Sequence, residues 1–282
     1  MSFSKLSLAF SLLAFLPFIF ATEPEHVNGF LAVWYEDFSE KSIDTNKWNI
    51  YTGDSYNNEE QKYINSPSTC TITDRGTFLI EPVKDSAGKW TSCKINTVDS
   101  FKAEPGQQII VQARFKLGTP GSNLQGIWPA FWSLGQVMRE GTQWPECGEI
   151  DTFENVNGSP LGTGTIHCGP ACHDPSGLGA GITFDYGTFH TWAHAIDLRS
   201  DDWKQQSIIW YMDGQPYHKK KGADIGDEAS WKALAQKAMY MTLNVSVGGT
   251  LPGASAPTTA TGADAGMEIQ YVAVYKSCDC LG

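Results

Sequence analysis

The chain has 282 residues, with 20 Lys and Arg against 31 Asp and Glu, a formal charge of −11; 41% of it is hydrophobic and 12% aromatic. That apolar share excludes a disordered chain, and a charged fraction of only 18% excludes a coiled coil. The acidic balance argues against a nucleic-acid partner, whose phosphates call for a surplus of Lys and Arg.

Residues 1–21 read as a secretory signal peptide. Lys5 is the sole charge, an apolar run follows, and Ala21 is a small residue suited to cleavage. The run is short for a membrane span and is interrupted by Pro17. No second apolar stretch and no hydrophobic C-terminal tail follow, so the expectation is a secreted, extracellular protein with no membrane attachment.

Residues 22–282 carry no repeat, linker or low-complexity stretch and read as a single domain, expected to act as a monomer. Residues 78–83, 108–117 and 207–212 place β-branched and aromatic side chains between turn formers, which predicts strands. Asp213-Gly214 then signals a hairpin turn. Only residues 227–237 look helical, with Asp227 as the cap. Residues 267–275 alternate with period two, as a strand with one wet face would. Many short strands with Gly- and Pro-rich turns predict an all-β, antiparallel β-jelly-roll sandwich.

Seven cysteines in an exported chain are expected to pair, with at least one left over. Cys168 and Cys172 bracket a Gly-Pro-Ala turn that a disulfide would close, and Cys70 and Cys93 sit on neighbouring strand candidates. A zinc site is disfavoured, because no second ligand pair has finger-like spacing. Asn157 and Asn244 head two glycosylation sequons, the second inside an apolar run where a glycan is hard to fit.

The segment Glu149-Ile150-Asp151-Thr152-Phe153-Glu154 carries the chemistry. Acids are depleted in strands, and three together repel one another. On a regular strand Glu149 and Asp151 share a face and Glu154 takes the other. One extra residue between them, a β-bulge near Thr152 and Phe153, would bring all three to one side, and bulges concentrate beside active sites. Two carboxyls flanking one bond suit glycoside hydrolysis, with Asp151 between them to assist. The bland readings are a solvated acidic face or a calcium site built from oxygens.

Here the chain resembles glycoside hydrolase family 16, in its bulge-containing, laminarinase-like branch. The acid segment matches that family's E-x-D-x-x-E signature. The run Trp128-Pro129-Ala130-Phe131-Trp132, the N-terminal stretches at residues 44–48 and 57–63, and residues 165–169, 189–192 and 243–249 follow in the family's order. The resemblance implies a concanavalin-like jelly roll with a substrate cleft on its concave face. It also implies an endo-acting hydrolase of β-1,3 or mixed β-1,3/1,4 glucan that retains anomeric configuration.

In that reading Glu149 is the nucleophile, Asp151 its assistant and Glu154 the general acid/base, with His167 lining the site near the acid/base. Trp132 and Trp144 resemble rings on which sugars stack. Trp128 is a weaker candidate, for which core packing is the favoured reading. Asn58 and Glu59 look like polar residues at the cleft edge. No cofactor is required.

Two departures stand out. Lys94 sits where relatives often carry Arg, and Gln270 replaces an Asp that many relatives use for a structural calcium, which is therefore left open and not predicted. A non-catalytic glucan lectin, a transglycosylase and a hydrolase of another β-linked polymer are the competing functions. The first usually lacks the acids, and the second tends to carry the shorter E-x-D-x-E spacing.

Overall fold

The structure, a computed structural model, describes residues 22–278; the expected signal peptide and Cys280 lie outside them. Two antiparallel sheets face each other. One contains, in order, Ala180–Thr183, Leu161–His167, Glu149–Glu154, Ile127–Gly135, Met239–Val247, Lys94–Thr97 and Trp48–Ile50. The other runs Gln215–Lys221, Ser207–Met212, His190–Asp197, Gln108–Leu117, Met267–Ser277, Phe78–Ile80 and Cys70–Ile72, with Phe30–Glu36 also paired to Met267–Ser277. Family resemblance and strand pattern thus agree with the observed jelly-roll sandwich.

Side-chain alternation decides which face each strand buries. In Met239–Val247 the odd positions Met239, Met241, Leu243, Val245 and Val247 enter the core. The even ones, Tyr240, Thr242, Asn244 and Ser246, form a polar row on the outer face. From the opposite sheet Phe115 meets Phe153 at 5.1 Å between ring centroids, and Trp192 meets Phe153 at 4.5 Å. Each of these fully buried rings stabilises the sandwich by roughly 1.5–3 kcal/mol relative to an exposed one.

Four expectations need amending. Residues 78–83 are not one strand: Phe78–Ile80 belongs to the eight-stranded sheet, and Val83–Lys84 joins a small three-stranded sheet. Pro82, which has no N–H to give a ladder, stands at the break. In Met267–Ser277 the alternation slips at a bulge between Ile269 and Tyr271, so Met267 and Ile269 are followed into the core by Val272 and Val274. A short helix, Gly222–Ile225, precedes the expected one, which spans Glu228–Ala235; there Asp227 accepts the N–H of Ser230 at 2.8 Å. Both expected disulfides form, but Cys70–Cys93 ties an edge strand of the larger sheet to the residue before Lys94, joining separate sheets instead of neighbouring strands. The hairpin turn Asp213-Gly214 matches its expectation, both residues having positive φ (49° and 73°).

Candidate active site

The acidic strand carries the bulge anticipated from its spacing. Against Ile127–Gly135, Phe153 pairs with Phe131 and Asp151 with Trp132, leaving Thr152 as the extra residue. Against Leu161–His167, Asp151 faces Thr165 and Glu154 faces Thr163, so two residues oppose one. Ile150 and Phe153 enter the core, and Thr152 turns inward, its hydroxyl 2.7 Å from Nδ1 of the buried His194 on the opposite sheet. The Asp151 carbonyl is taken up by the indole N–H of Trp210, also on that sheet, at 2.8 Å. A bulge leaves backbone polar groups outside the ladder; here the facing sheet satisfies one of them from behind. Glu149, Asp151 and Glu154 consequently share the outer face.

That face is ordered by register. Trp128, Ala130, Trp132 and Leu134 alternate outward beside the acids, and Ser246, Asn244, Thr242 and Tyr240 lie opposite them in turn. Trp128 donates its indole N–H to Glu154 at 2.9 Å. This corrects the core reading of Trp128, which shares the even-numbered parity of Trp132. Trp132 donates to Asn244 at 2.7 Å. The buried Asn244 amide also donates to Tyr63 and Ser246, which leaves that sequon no room for a glycan. Trp144 stands 40% exposed at one end of the face, its ring centroid 5.6 Å from that of His167.

His167 is not beside Glu154, where the resemblance put it. It pairs across the ladder from Glu149, while Thr163 takes the place opposite Glu154. Its Nε2 lies 3.4 Å from Asp151 and its Nδ1 meets Asp174. At the other end, Lys94 lies over the Trp132 ring at 4.8 Å and close to the rings of Tyr51, Tyr56 and Tyr63. Glu59 is half-buried, accepting from Gln61 at 2.6 Å. Asn58 is exposed at the rim, where its amide reaches the Thr250 hydroxyl at 3.4 Å. The structure therefore gathers Glu59, Trp128, Trp132, Trp144 and His167 around the acids and leaves Asn58 outermost.

Burial drives the electrostatics. Desolvation raises Glu149, Asp151 and Glu154 alike, and each is further shifted by its acidic neighbours. Glu154 is pushed up to about 8, its bond from Trp128 only partly offsetting burial and Asp151. Glu149 and Asp151 have the cationic side of His167 to favour their charged forms, and Glu149 also has Lys94. Burial lowers Lys94, opposed by Glu59 and Glu149. All three acids are raised, Glu149 well above the ordinary carboxylate range and Glu154 to about 8, so the coupled trio holds protons to higher pH than isolated carboxylates would.

Glu149, Asp151 and His167 each turn a ligand-capable atom to within 4.8 Å of the others. With a carboxylate on each ring nitrogen, this cluster compensates its own charge and lacks the about six to eight oxygens that calcium takes. Near Gln270 a cation is already in place: Arg114 donates to its amide oxygen at 2.7 Å and reaches Glu25 at 3.7 Å. No helix among the described residues is long and apolar enough to cross a membrane.

Comparison with known proteins adds an independent line. A family model described as an XgeA-like, catalytic GH16 domain matches residues 39–181. Over 90% of its length the chain is 31% identical to the glucan endo-1,3-beta-glucosidase A1 of Niallia circulans, of which it covers 39%. Over 86% of its length it is 26% identical to the keratan-sulfate endo-1,4-beta-galactosidase of Sphingobacterium multivorum, of which it covers 54%. The chain thus spans about half or less of these two curated relatives. Among solved structures, the endo-1,3-beta-glucanase of Streptomyces sioyaensis superposes with a TM-score of 0.84 at 30% identity, covering 90% of this chain and 99% of that one.

Proposed function

The chain belongs to glycoside hydrolase family 16, and we propose that it is a secreted endo-glucanase that hydrolyses β-1,3 or mixed β-1,3/1,4 glucan with retention of configuration. The observation that carries this reading is the bulge at Thr152, which puts three carboxyls, Asp151 buried and Glu149 and Glu154 half-buried, on one aromatic-lined face. In the first step Glu149 attacks the anomeric carbon while Glu154 gives its proton to the departing glycosidic oxygen. Asp151 hydrogen-bonds or repels according to the charge beside it, helping keep Glu154 protonated. In the second step Glu154, now a carboxylate, takes a proton from water as the water displaces Glu149. The survival of all three acids weighs against a glucan-binding lectin on the same sandwich.

Analysis of products from laminarin, barley glucan, chitin and agarose, with NMR of the first-formed anomer, tests polymer and stereochemistry together. Oligosaccharides of inverted configuration would contradict the double displacement. Release chiefly from agarose or chitin would overturn the glucan assignment. Export is checked by N-terminal sequencing of the secreted form, which should begin at Thr22.

The protonated acid gives a pH signature. A group that must carry a proton loses function as pH rises through its pKa, so kcat/KM on laminarin should fall about tenfold per pH unit above roughly 8. A flat profile to pH 10 would remove Glu154 from the proton-donor role. Trp144 supplies a sugar platform, its indole offering a π face to the C–H side of a glucose ring. Trp144→Ala should raise KM for laminarin roughly tenfold, equivalent to about 1.4 kcal/mol, with kcat little changed. An unaltered KM would leave the exposed ring without a substrate contact.

A further inference from the structure

His167 stands between two carboxylates, and the one behind it is built with care. Asp174 meets Nδ1 with one oxygen, and its side chain is only 7% exposed. Its other oxygen accepts the backbone N–H groups of Cys168 at 2.9 Å and Gly169 at 2.6 Å. Both donors belong to the loop that the Cys168–Cys172 disulfide closes. Within that loop Cys172 donates to the Gly169 carbonyl at 2.9 Å and His173 to the Pro170 carbonyl at 3.1 Å. Gly177, at φ +69°, lies against the ring itself, where a Cβ would come 2.7 Å from Cε1. The imidazole therefore cannot swing away from its two acids. At 3.4 Å the Nε2–Asp151 contact is an ion pair and not a hydrogen bond, so a ring flanked by two carboxylates gains most as the cation.

We propose that Asp174, presented by the disulfide-closed loop at residues 168–174, is a positioning residue that holds His167 as an imidazolium against Asp151. The inference rests on the roles assigned above, because a fixed positive charge favours the ionised forms of Asp151 and Glu149 against the burial that raises them. Burial alone would lower His167, but its contacts with Asp151, Glu149 and Asp174 outweigh that and set it at about 10. From the acidic strand the ring faces Glu149 and Asp151, with Glu154 further along. From the loop it faces Asp174, and from the preceding turn the uncharged Trp144 ring. Glu146 on that same turn adds an exposed carboxylate near Gly169. Lys94 acts on Glu149 from the other end of the face.

Asp174→Asn keeps the shape and removes the charge. In the wild-type protein, ¹⁵N NMR of labelled histidine, with His167 identified by its loss in His167→Gln, should show both ring nitrogens protonated at pH 8. In Asp174→Asn the ring should titrate below pH 8. The variant's kcat on laminarin should then fall roughly tenfold to a hundredfold at pH 8 and stay within a few-fold of wild type at pH 5.5, with KM unchanged. A purely structural role would lower kcat equally at both pH values and would overturn the proposal. The ring's charge is read without substrate, so this arm stands even where the glucan assignment fails. Should Asp174→Asn not fold, the wild-type titration decides: an inflection near the free value of about 6.5 rejects the imidazolium.

Discussion

Glu149→Gln should abolish turnover of laminarin, by roughly 10⁵-fold or more, as loss of a nucleophile does elsewhere, while leaving the polymer bound. The amide matches the carboxylate in shape, but its neutral, delocalised oxygen is far too weak a nucleophile for the anomeric carbon. Trp132, Trp144 and Lys94, on which binding would rest, touch none of the atoms exchanged. Calorimetry with a laminarin oligosaccharide should therefore give a dissociation constant within a few-fold of the wild-type KM. Substantial residual hydrolysis would move the nucleophile elsewhere, and Asp151 is the nearest candidate. Loss of both binding and turnover would instead indicate that Glu149 holds substrate and does not attack it.

Glu154→Ala should be more selective. Proton donation is worth roughly 10²–10⁴ in rate, and it matters most for a sugar alkoxide, which leaves poorly. An aryl glucoside with a strongly acidic phenol should keep a near-normal first step, seen as a burst of phenol. Its second step should stall, because no base is left to activate water. Added azide, a nucleophile that needs no base, should restore turnover and yield a β-glucosyl azide. Equal losses on laminarin and the aryl substrate, without azide rescue, would falsify the acid/base assignment.

How far the sequence carried depended on whether a feature was local. The bulge was readable because an E-x-D-x-x-E strand places its third acid on the wrong face unless a residue is inserted, and Thr152 is that residue. The long alternating strands and the capped helix were readable for the same reason: their signals lie within ten residues of one another. The role of Trp128 was equally local but misread. Its parity with Trp132 assigns it to the acid face, and its apolar neighbours suggested core. Register between strands is not local. Nothing in the residues around His167 says that it pairs with Glu149 instead of sitting by Glu154, because that follows from how residues 155–160 close the turn. Asp174 was missed entirely. A small cysteine-closed loop directly after a site histidine, ending in an acid, is the one signal that would have flagged it. The slip at Gln270 left no mark in the sequence, and the strand's outer face, expected to be wet, is covered: Tyr271, Ala273 and Tyr275 are buried against Val27, Phe30 and Ile110.

The indole of Trp210 reaching through the sandwich to the Asp151 carbonyl makes the catalytic ribbon a two-layer object. Transplanting residues 149–154 into another β-sandwich, or redesigning strand Ser207–Met212 for other ends, would uncouple the two. A graft intended to carry this chemistry must therefore move both ribbons with their spacing intact, or it will deliver three acids on a strand free to relax into ordinary pleating.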